Sequence, residues 1–321
     1  MSDAPLITHL YTADPSAHVF DGRVYLYPSH DRDSGIPDND NGDQYDMTDY
    51  HVFSMDKVGG PVKDHGVAFQ LSDVPWASKQ LWAPDAAYKN GKYYFYFPAR
   101  DKEGVFRIGV AIGDTPHGPF RPDPEPIAGT YSIDPCCFVD DDGRAYLTFG
   151  GIWGGQLQKW RTGNWNPNGV EPADHEPAIG PRIAELSDDM RSFKGKVSEI
   201  VILDEKGEPL KAGDHDRRYF EGPWLHKRNG LYYFSYSTGN THYLVYATGT
   251  SPTGPFTYRG RFLEPVIGWT THHSFVDFQG KSYLFHHDAS LSKGVNHLRC
   301  VKVKEVVYAA DGTIAEVKPI S

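Results

Sequence analysis

Residues 20–29 read FDGRVYLYPS, a turn that ends in glycine and is followed by a strand rich in aromatic and β-branched residues. Gly22 supplies the positive φ that a tight hairpin turn needs, and the strand after it is typical of a half-buried β-strand. Four further segments repeat the pattern: YKNGKYYFYFPA at 88–99, VDDDGRAYLTFG at 139–150, HKRNGLYYFSYS at 226–237 and VDFQGKSYLFHH at 276–287. Five copies of one strand–turn–strand unit indicate an internal repeat.

A second motif follows two of these copies, as DTPHGPF at 114–120 and TSPTGPF at 250–256, each after an apolar strand. Long helical periodicity is scarce, and turn signals recur at short intervals. Repeats of several strands each are typical of the radial four-stranded sheets of a β-propeller. The sequence therefore predicts an all-β fold, a five-bladed β-propeller; the alternative is a β-sandwich with coincidental hairpins.

The bulk composition excludes several classes of partner. The chain has 321 residues, of which 39% are hydrophobic, and a formal net charge of −10 without a Lys/Arg-rich block. This charge argues against nucleic acid as a partner and favours a neutral or weakly charged substrate. No run of apolar residues is long enough to span a membrane, so no membrane partner is expected. We predict that residues 1–321 form a single propeller domain with no appended module.

The N-terminal sequence and the cysteines bear on the location of the protein. The segment MSDAPLITHLYTADPS has neither a basic region nor a long apolar region, so no signal peptide is visible. The odd set Cys136, Cys137 and Cys300 is not a disulfide framework, and we interpret the adjacent pair as buried, inert thiols. We expect a cytoplasmic location, although a secreted protein trimmed of its signal would have the same sequence pattern.

Each repeat carries an ionisable group at the start of its first strand. The five groups are Asp14 in TADPS, Asp85 in WAPDA, Asp134 in SIDPC, Glu221 in FEGPW and His272 in TTHHSF. The innermost strands of a propeller line its central channel, so these positions are expected to converge near the axis. Converging carboxylates repel one another and lose solvent, an arrangement typical of functional sites. The convergence of these five groups near the axis therefore predicts a functional site rather than five unrelated turns.

Carboxylates facing each other across a pocket, without a nucleophilic serine or cysteine signature, are the groups that glycoside hydrolysis needs. Glu221 stands between Phe220 and Trp224, and this apolar setting favours the protonated form that a general acid requires. Asp14, in a short polar turn, is the better general base. Asp134 is then the third charge, which raises the pKa of the acid by like-charge repulsion and orients it.

Taken in this order, the five motifs resemble glycoside hydrolase family 43. The resemblance implies a five-bladed propeller that inverts the anomeric centre, with Asp14 as general base, Asp134 as pKa modulator and Glu221 as general acid. It also implies an exo-acting enzyme, a β-xylosidase, an α-L-arabinofuranosidase or both, that releases terminal pentoses from short plant-cell-wall oligosaccharides. A small xylo- or arabino-oligosaccharide is the expected partner, and the oligomeric state is left open.

The resemblance implies further ligand contacts. It places Arg299 against the substrate and a calcium ion near the channel centre, held by His272 through waters. Calcium prefers oxygen ligands, so the residues by themselves do not require this ion. Trp82 and Trp269 lie beside channel positions, where a flat ring could stack on a sugar. The remaining predicted substrate contacts are His30, Asp31, Asp85 and His273.

The acidic stretch HDRDSGIPDNDNGDQYDMTDY at 30–50 is interpreted as a long loop on the rim of the pocket. An EF-hand calcium loop is excluded, because with Gly42 as its central glycine the first and last ligand positions would be Pro37 and Thr48. A rim loop favours a closed pocket over the open groove of an endo-arabinanase. A non-catalytic sugar-binding propeller is the other alternative, since a fold does not dictate function. An interaction scaffold would leave the charged ring unexplained.

Overall fold

The structure is a computed structural model that describes residues 3–269 and 271–320. Its strands form five mainly antiparallel sheets, which confirms the predicted five-bladed β-propeller. Among the described residues, helical structure is limited to three short 3-10 helices, at Leu71–Asp73, Trp153–Gly155 and Leu157–Trp160. Within the described residues, no helix has the length and apolarity needed to cross a membrane.

The first three blades follow one another along the chain. Blade 1 contains β1 (Tyr11–Phe20), β2 (Arg23–Asp31), β3 (Asp49–Met55) and β4 (Lys63–Gln70). Blade 2 contains β5 (Ala77–Lys79), β6 (Asp85–Lys89), β7 (Lys92–Asp101), β8 (Phe106–Gly113) and β9 (Arg121–Pro122). Blade 3 contains β10 (Cys136–Val139), β11 (Ala145–Phe149), β12 (Arg182–Glu185) and β13 (Ser198–Glu199).

The last two blades complete the ring. Blade 4 contains β14 (Ile202–Leu203), β15 (Glu221–Arg228), β16 (Leu231–Ser237), β17 (Leu244–Gly249) and β18 (Phe256–Leu263), with β14 parallel to β18 at the outer edge. Blade 5 contains β19 (His273–Phe278), β20 (Lys281–Asp288), β21 (Cys300–Tyr308) and β22 (Ile314–Pro319). The glycine turns found in the sequence join the first two strands of the repeat in every blade.

The strands β1, β6, β10, β15 and β19 contact one another in ring order, so the first strand of each repeat lines the channel. The ring closes between the two ends of the chain. Leu6 donates its backbone N–H to the carbonyl of Val301 at 2.8 Å, and Thr12 donates to Arg299 at 2.9 Å. Closure therefore brings the start of blade 1 against blade 5.

Aromatic side chains pack between the blades. The rings of Tyr50 and Phe95 lie 4.9 Å apart, and Phe69 and Phe97 pack at the same distance across the interface of blades 1 and 2. The three cysteines are free and buried, as expected for inert thiols, and burial raises the pKa of the Cys137 thiol. Such close packing leaves little room for added volume.

Gly109 on β8 provides a test of this packing. A Cβ atom at this position would lie 2.6 Å from Phe97 and 2.7 Å from Trp76, in a fully packed interface. We expect Gly109→Ala to lower the free energy of unfolding by about 1–3 kcal/mol through overpacking. Urea denaturation measures this change. Gly195→Ala, which meets no atom within 4 Å, is the matched control and should change stability by no more than about 0.5 kcal/mol. Equal effects of the two substitutions would contradict the packing argument.

Candidate active site

A pocket of about 270 Å³ lies where the heads of the inner strands meet. All five repeat-head groups were predicted to converge near the axis. Asp14, Asp134, Glu221 and His272 line this pocket, whereas Asp85 does not. Arg299 lines it as well. The volume is close to the lower end of the range for ligand pockets, about 300–1,000 Å³. The pocket can therefore hold a small ligand with charged groups on one side.

Local distortions of the backbone direct the acidic side chains into the pocket. The pairing of β1 with β2 shifts register between Ala13 and Ser16, and Asp14 adopts a φ of 49° there. The pairing of β15 with β16 shifts in the same way just after Glu221. A bulge re-aims the side chains of a strand and is common next to active sites. The bulges interrupt the regular alternation of side chains, so Asp14 and Glu221 can both point into the pocket.

Asp14 is held by four neighbours. Its Oδ2 accepts a hydrogen bond from Ser29 Oγ at 2.6 Å, and its Oδ1 lies 3.1 Å from Arg299 Nη1 and 3.4 Å from His272 Nδ1. Its backbone N–H donates to His287 Nδ1 at 2.9 Å. Burial opposes ionisation, but the cationic neighbours outweigh it and hold the pKa of Asp14 well below its usual range. Asp14 is therefore an ionised carboxylate.

His272 lies between the carboxylates. Its Nδ1 faces Asp14, and its Nε2 lies 3.4 Å from Asp134 Oδ2 and 3.8 Å from Glu221 Oε1. Burial disfavours the charged ring, but the three carboxylates together raise the pKa of His272 to about 10. The ring is therefore an imidazolium at neutral pH, and its charge offsets the repulsion among the acids.

Asp134 connects to the loop that carries Glu221. Its φ is 59°, and its Oδ2 accepts a hydrogen bond from the backbone N–H of Gly222 at 3.0 Å. Burial is the main reason that the pKa of Asp134 rises to about 7; Glu221 and Asp14 raise it further, while His272 lowers it. Asp134 can thus hold a proton near neutral pH and anchors the residue next to Glu221.

Arg299 is fixed by Asp31, one of the predicted substrate contacts. Its Nε and Nη2 both donate to the Asp31 carboxylate at 2.8 Å, a bidentate pair, and its guanidinium covers the ring of Tyr45 at 4.9 Å. Asp31 is buried and does not line the pocket, whereas Arg299 does. Asp31 therefore positions the arginine that contacts Asp14.

Aromatic side chains form the walls of the pocket. Trp82 and Trp269, both predicted as stacking platforms, line it. Trp82 donates its Nε1–H to the carbonyl of Tyr45 at 2.8 Å, and Trp269 stacks on Trp153 with ring centres 5.9 Å apart. These bonds and stacks hold the rings in place, so flat apolar faces border the charged floor.

Three other predicted substrate contacts lie away from the pocket. Asp85 is buried at the start of β6, where it accepts hydrogen bonds from Ser16 Oγ, His18 Nε2 and the backbone N–H of Cys137. His273 is buried and contacts Ser235 Oγ at 2.6 Å.

His30 lies near the end of β2, and its Nδ1 contacts Asp49 on the neighbouring strand β3. The donors to Asp85 and the contact of His273 with Ser235 hold these two side chains away from the residues that line the pocket, and strand alternation places His30 on the face of β2 opposite to Asp31. Their substrate-binding role has no support from the pocket geometry.

Several lining residues were not singled out in the sequence. His287 supports the backbone of Asp14, and only its place in the repeated segment VDFQGKSYLFHH could have indicated it. Trp153, which two glycines follow, begins a 3-10 helix and has a φ of 57°. The rim loop contributes the lining residues Asp38, Asn39, Asp40, Gly42, Gln44, Tyr45 and Met47, which confirms the predicted place of that loop.

A calcium ion is the cofactor that the family resemblance implies. Asp134, Glu221 and His272 each offer a ligand atom, and these atoms lie within 4.8 Å of one another. Two carboxylate oxygens suit calcium, so the donor set fits the ion, and waters would have to complete its coordination. The imidazolium must release a proton before its nitrogen can bind a metal, so a cation and a proton compete for the same place.

The protonation of His272 is open to direct measurement. In metal-free protein we expect its ring to stay cationic at pH 8 and to titrate with an apparent pKa near 10. The folded pKa exceeds the ordinary value of 6.5, so the stability from this group is complete below about pH 6.5 and is lost as the pH rises towards 10. Imidazole ¹⁵N NMR in the presence of a chelator, with His272→Asn to assign the signal, measures the titration. A neutral ring at pH 7 would contradict the arrangement.

The chain is similar to known enzymes over its whole length. The profile of glycosyl hydrolases family 43 matches residues 5–314. Xylosidase/arabinosidase 43A of Humicola insolens is 66% identical over 325 aligned positions, covering 98% of this chain and 99% of that protein. A xylosidase/arabinosidase of Bacteroides ovatus is 56% identical, covering 96% of this chain and 95% of that protein.

Solved structures agree with these relatives. A family 43 β-xylosidase/α-arabinofuranosidase from a compost microbial metagenome, in complex with xylotriose and in a calcium-free form, has a TM-score of 0.96 and 63% identity, covering 99% of this chain and 97% of that chain. A Xanthomonas citri enzyme complexed with xylotriose has a TM-score of 0.94 and 57% identity, covering 98% and 93%. The profile match, the identities and the shared fold agree with the geometry of the pocket: the chain belongs to glycosyl hydrolases family 43 and is a glycoside hydrolase.

Proposed function

We propose that the enzyme is an inverting, exo-acting hydrolase that releases terminal xylose or arabinose from short plant-cell-wall oligosaccharides. The observation that carries this proposal is the pair of carboxylates, Asp14 and Glu221, on opposite nitrogens of the His272 ring at the floor of one small pocket. Inverting enzymes need an ionised base on one side of the sugar and an acid on the other.

Asp14 is proposed as the general base. Its carboxylate stays ionised because Arg299 and His272 outweigh the effect of burial. An ionised carboxylate can take a proton from a water molecule, which then attacks the anomeric carbon of the sugar. The bond from Ser29 to Oδ2 leaves Oδ1 on the side of the charged neighbours, so the orientation of the carboxylate is set before substrate arrives.

Glu221 is proposed as the general acid that protonates the departing oxygen. Asp134 supports it in two ways: its carboxyl binds the backbone N–H of Gly222, and its charge lies on the same Nε2 edge of His272 as Glu221. The imidazole ring and a polar contact on each side separate Asp14 from Glu221. The position of the ring between the two carboxylates supports inversion, for which carboxyl groups stand about 6.5–9.5 Å apart, rather than retention at about 5–5.5 Å.

The substrate class rests on the relatives and on the shape of the pocket. Two curated relatives above 50% identity are named xylosidase/arabinosidase, and two solved relatives carry xylotriose. The rim loop supports an exo mode, because Asp38 bridges the opening by accepting hydrogen bonds from Asn296 at 2.9 Å and His297 at 3.3 Å. A closed rim favours one terminal sugar over the mid-chain binding of an endo-arabinanase.

A divalent cation is a proposed optional component. It would be held by Asp134, Glu221 and His272 and would supply positive charge at the pocket floor. The calcium-free form of the compost relative is a property of that protein and supports the proposal only by analogy. Without a cation, the imidazolium of His272 contacts both Asp14 and Glu221 and orients the base and the acid.

Glu221→Gln tests the assignment of the acid. On xylobiose we expect kcat/KM to fall by about 10²–10⁴, because the leaving sugar needs a proton. On nitrophenyl β-D-xyloside and nitrophenyl α-L-arabinofuranoside the loss should be smaller, since nitrophenolate departs without one. Glu316→Gln, on exposed strand β22, is the matched control and should behave as wild type. Equal losses on all three substrates would exclude Glu221 as the acid, and no wild-type release from any would overturn the pentosidase proposal.

The stereochemical outcome tests the spacing of the carboxylates. We expect the xylose first released from nitrophenyl β-D-xyloside to be the α-anomer, the inverted one, because water attacks from the Asp14 side while Glu221 faces the leaving group. ¹H NMR spectra recorded within the first minutes, before mutarotation, identify the anomer. Initial release of β-xylose would show retention and would contradict the proposed roles.

A further inference from the structure

The face of β2 opposite to Asp31 carries a second cluster of titratable groups, none of which lines the pocket. Asp31 at the end of β2 faces Arg299, and His30, one residue earlier, points to the opposite face. There it meets β3, on which Asp49 and His51 are two residues apart and share a face. The hydrolytic mechanism uses none of the side chains of His30, Asp49 and His51.

The three side chains already converge. His30 Nδ1 lies 2.5 Å from Asp49 Oδ1, and the rings of His30 and His51 are 5.1 Å apart. One ligand atom from each residue lies within 4.8 Å of the others. The side chains of His30, Asp49 and His51 keep 21%, 25% and 14% of their surface exposed, so an ion in solution can reach them.

A second layer of contacts orients His51. Its Nδ1 lies 3.1 Å from Asp64 Oδ1, and the same carboxylate accepts the backbone N–H of Gly66 at 2.7 Å and contacts His9 Nε2 at 2.9 Å. A proton held on Nδ1 leaves the lone pair on Nε2. A carboxylate behind a histidine is the usual support of a metal-bound imidazole, because it fixes the tautomer and makes the ring more basic.

We propose that His30, Asp49 and His51 form a zinc-binding site. Two imidazoles and one carboxylate are ligands that Zn²⁺ prefers, whereas calcium and magnesium favour oxygen ligands alone. The partial exposure leaves a fourth position for water. A metal bound by His30 and Asp49 would take the place of the direct contact between His30 Nδ1 and Asp49 Oδ1.

The position of the cluster indicates its role. β2 ends at Asp31 and β3 begins at Asp49, so the site lies at the base of the rim loop, residues 32–48. A metal bound to both strands cross-links the two ends of this loop. Cross-links that close long loops are expected to stabilise the folded state, because they remove conformational entropy from the unfolded chain. Zinc therefore acts as a structural clamp beneath the loop that borders the pocket.

Zinc titration of chelator-treated, full-length enzyme by isothermal calorimetry tests the proposal. Wild type should bind one more equivalent than His51→Ala and Asp49→Asn, with a dissociation constant in the micromolar range or below. Asp64→Asn should keep the stoichiometry but bind about 10–100-fold more weakly, as expected for loss of a supporting carboxylate. The pocket donors are intact in every variant, so any zinc that they bind cancels in the comparison.

His65→Ala is the matched control, because His65 is a half-buried histidine on the same blade that contacts Ser54 and lies outside the cluster. It should bind as wild type. Should His51→Ala fail to fold, as judged by circular dichroism, His30→Ala replaces it. A thermal midpoint that zinc raises in wild type but not in the cluster variants would support the site. Unchanged stoichiometry in these variants, or loss of the equivalent in His65→Ala alone, would overturn it.

Discussion

The placement of one imidazolium among three carboxylates is the constraint on which the pocket depends. Asp14, Asp134 and Glu221 come from three different blades and would repel one another in a desolvated channel. His272, at the start of blade 5, contacts all three carboxylates, and Arg299 adds a second positive charge beside Asp14. The charges are unequal around the ring: Asp14 receives both cations, whereas Asp134 is left with a raised pKa near 7. That inequality is what separates a permanently ionised carboxylate from a group that can hold a proton.

The propeller supplies the positions, and irregular backbone supplies the directions. A regular inner strand would alternate its side chains between the channel and the sheet. Bulges after Ala13 and Glu221, and positive φ angles at Asp14 and Asp134, turn the acids towards one point instead. His287 supports the strained turn at Asp14 by accepting its backbone N–H. Backbone strain of this kind persists only where neighbours over-determine it, and the dense interblade packing provides those neighbours.

Blade 1 links the chemistry of the floor to the shape of the rim. Its second strand ends in Asp31, which fixes Arg299, and the next residues form the loop that carries Tyr45 and borders the opening. On the other face of the same strand lies His30, with its partners on β3. The end of one strand thus serves the charged floor, the rim and the proposed zinc clamp, because adjacent residues of a strand point to opposite faces.

The sequence by itself determined the fold and the three central carboxylates. Five glycine-turn repeats specify hairpins locally, and the equivalent positions at their heads approach one another once the blades close around an axis, where four of the five line the pocket. The sequence did not predict the contacts between segments that are distant along the chain. That Asp31 would hold Arg299, that His287 would support Asp14, and that Asp85, His273 and His30 would face away from the pocket all depend on strand alternation and bulges. The pKa values also belong to the tertiary structure, because burial and charge neighbours arise only when residues from different blades come together.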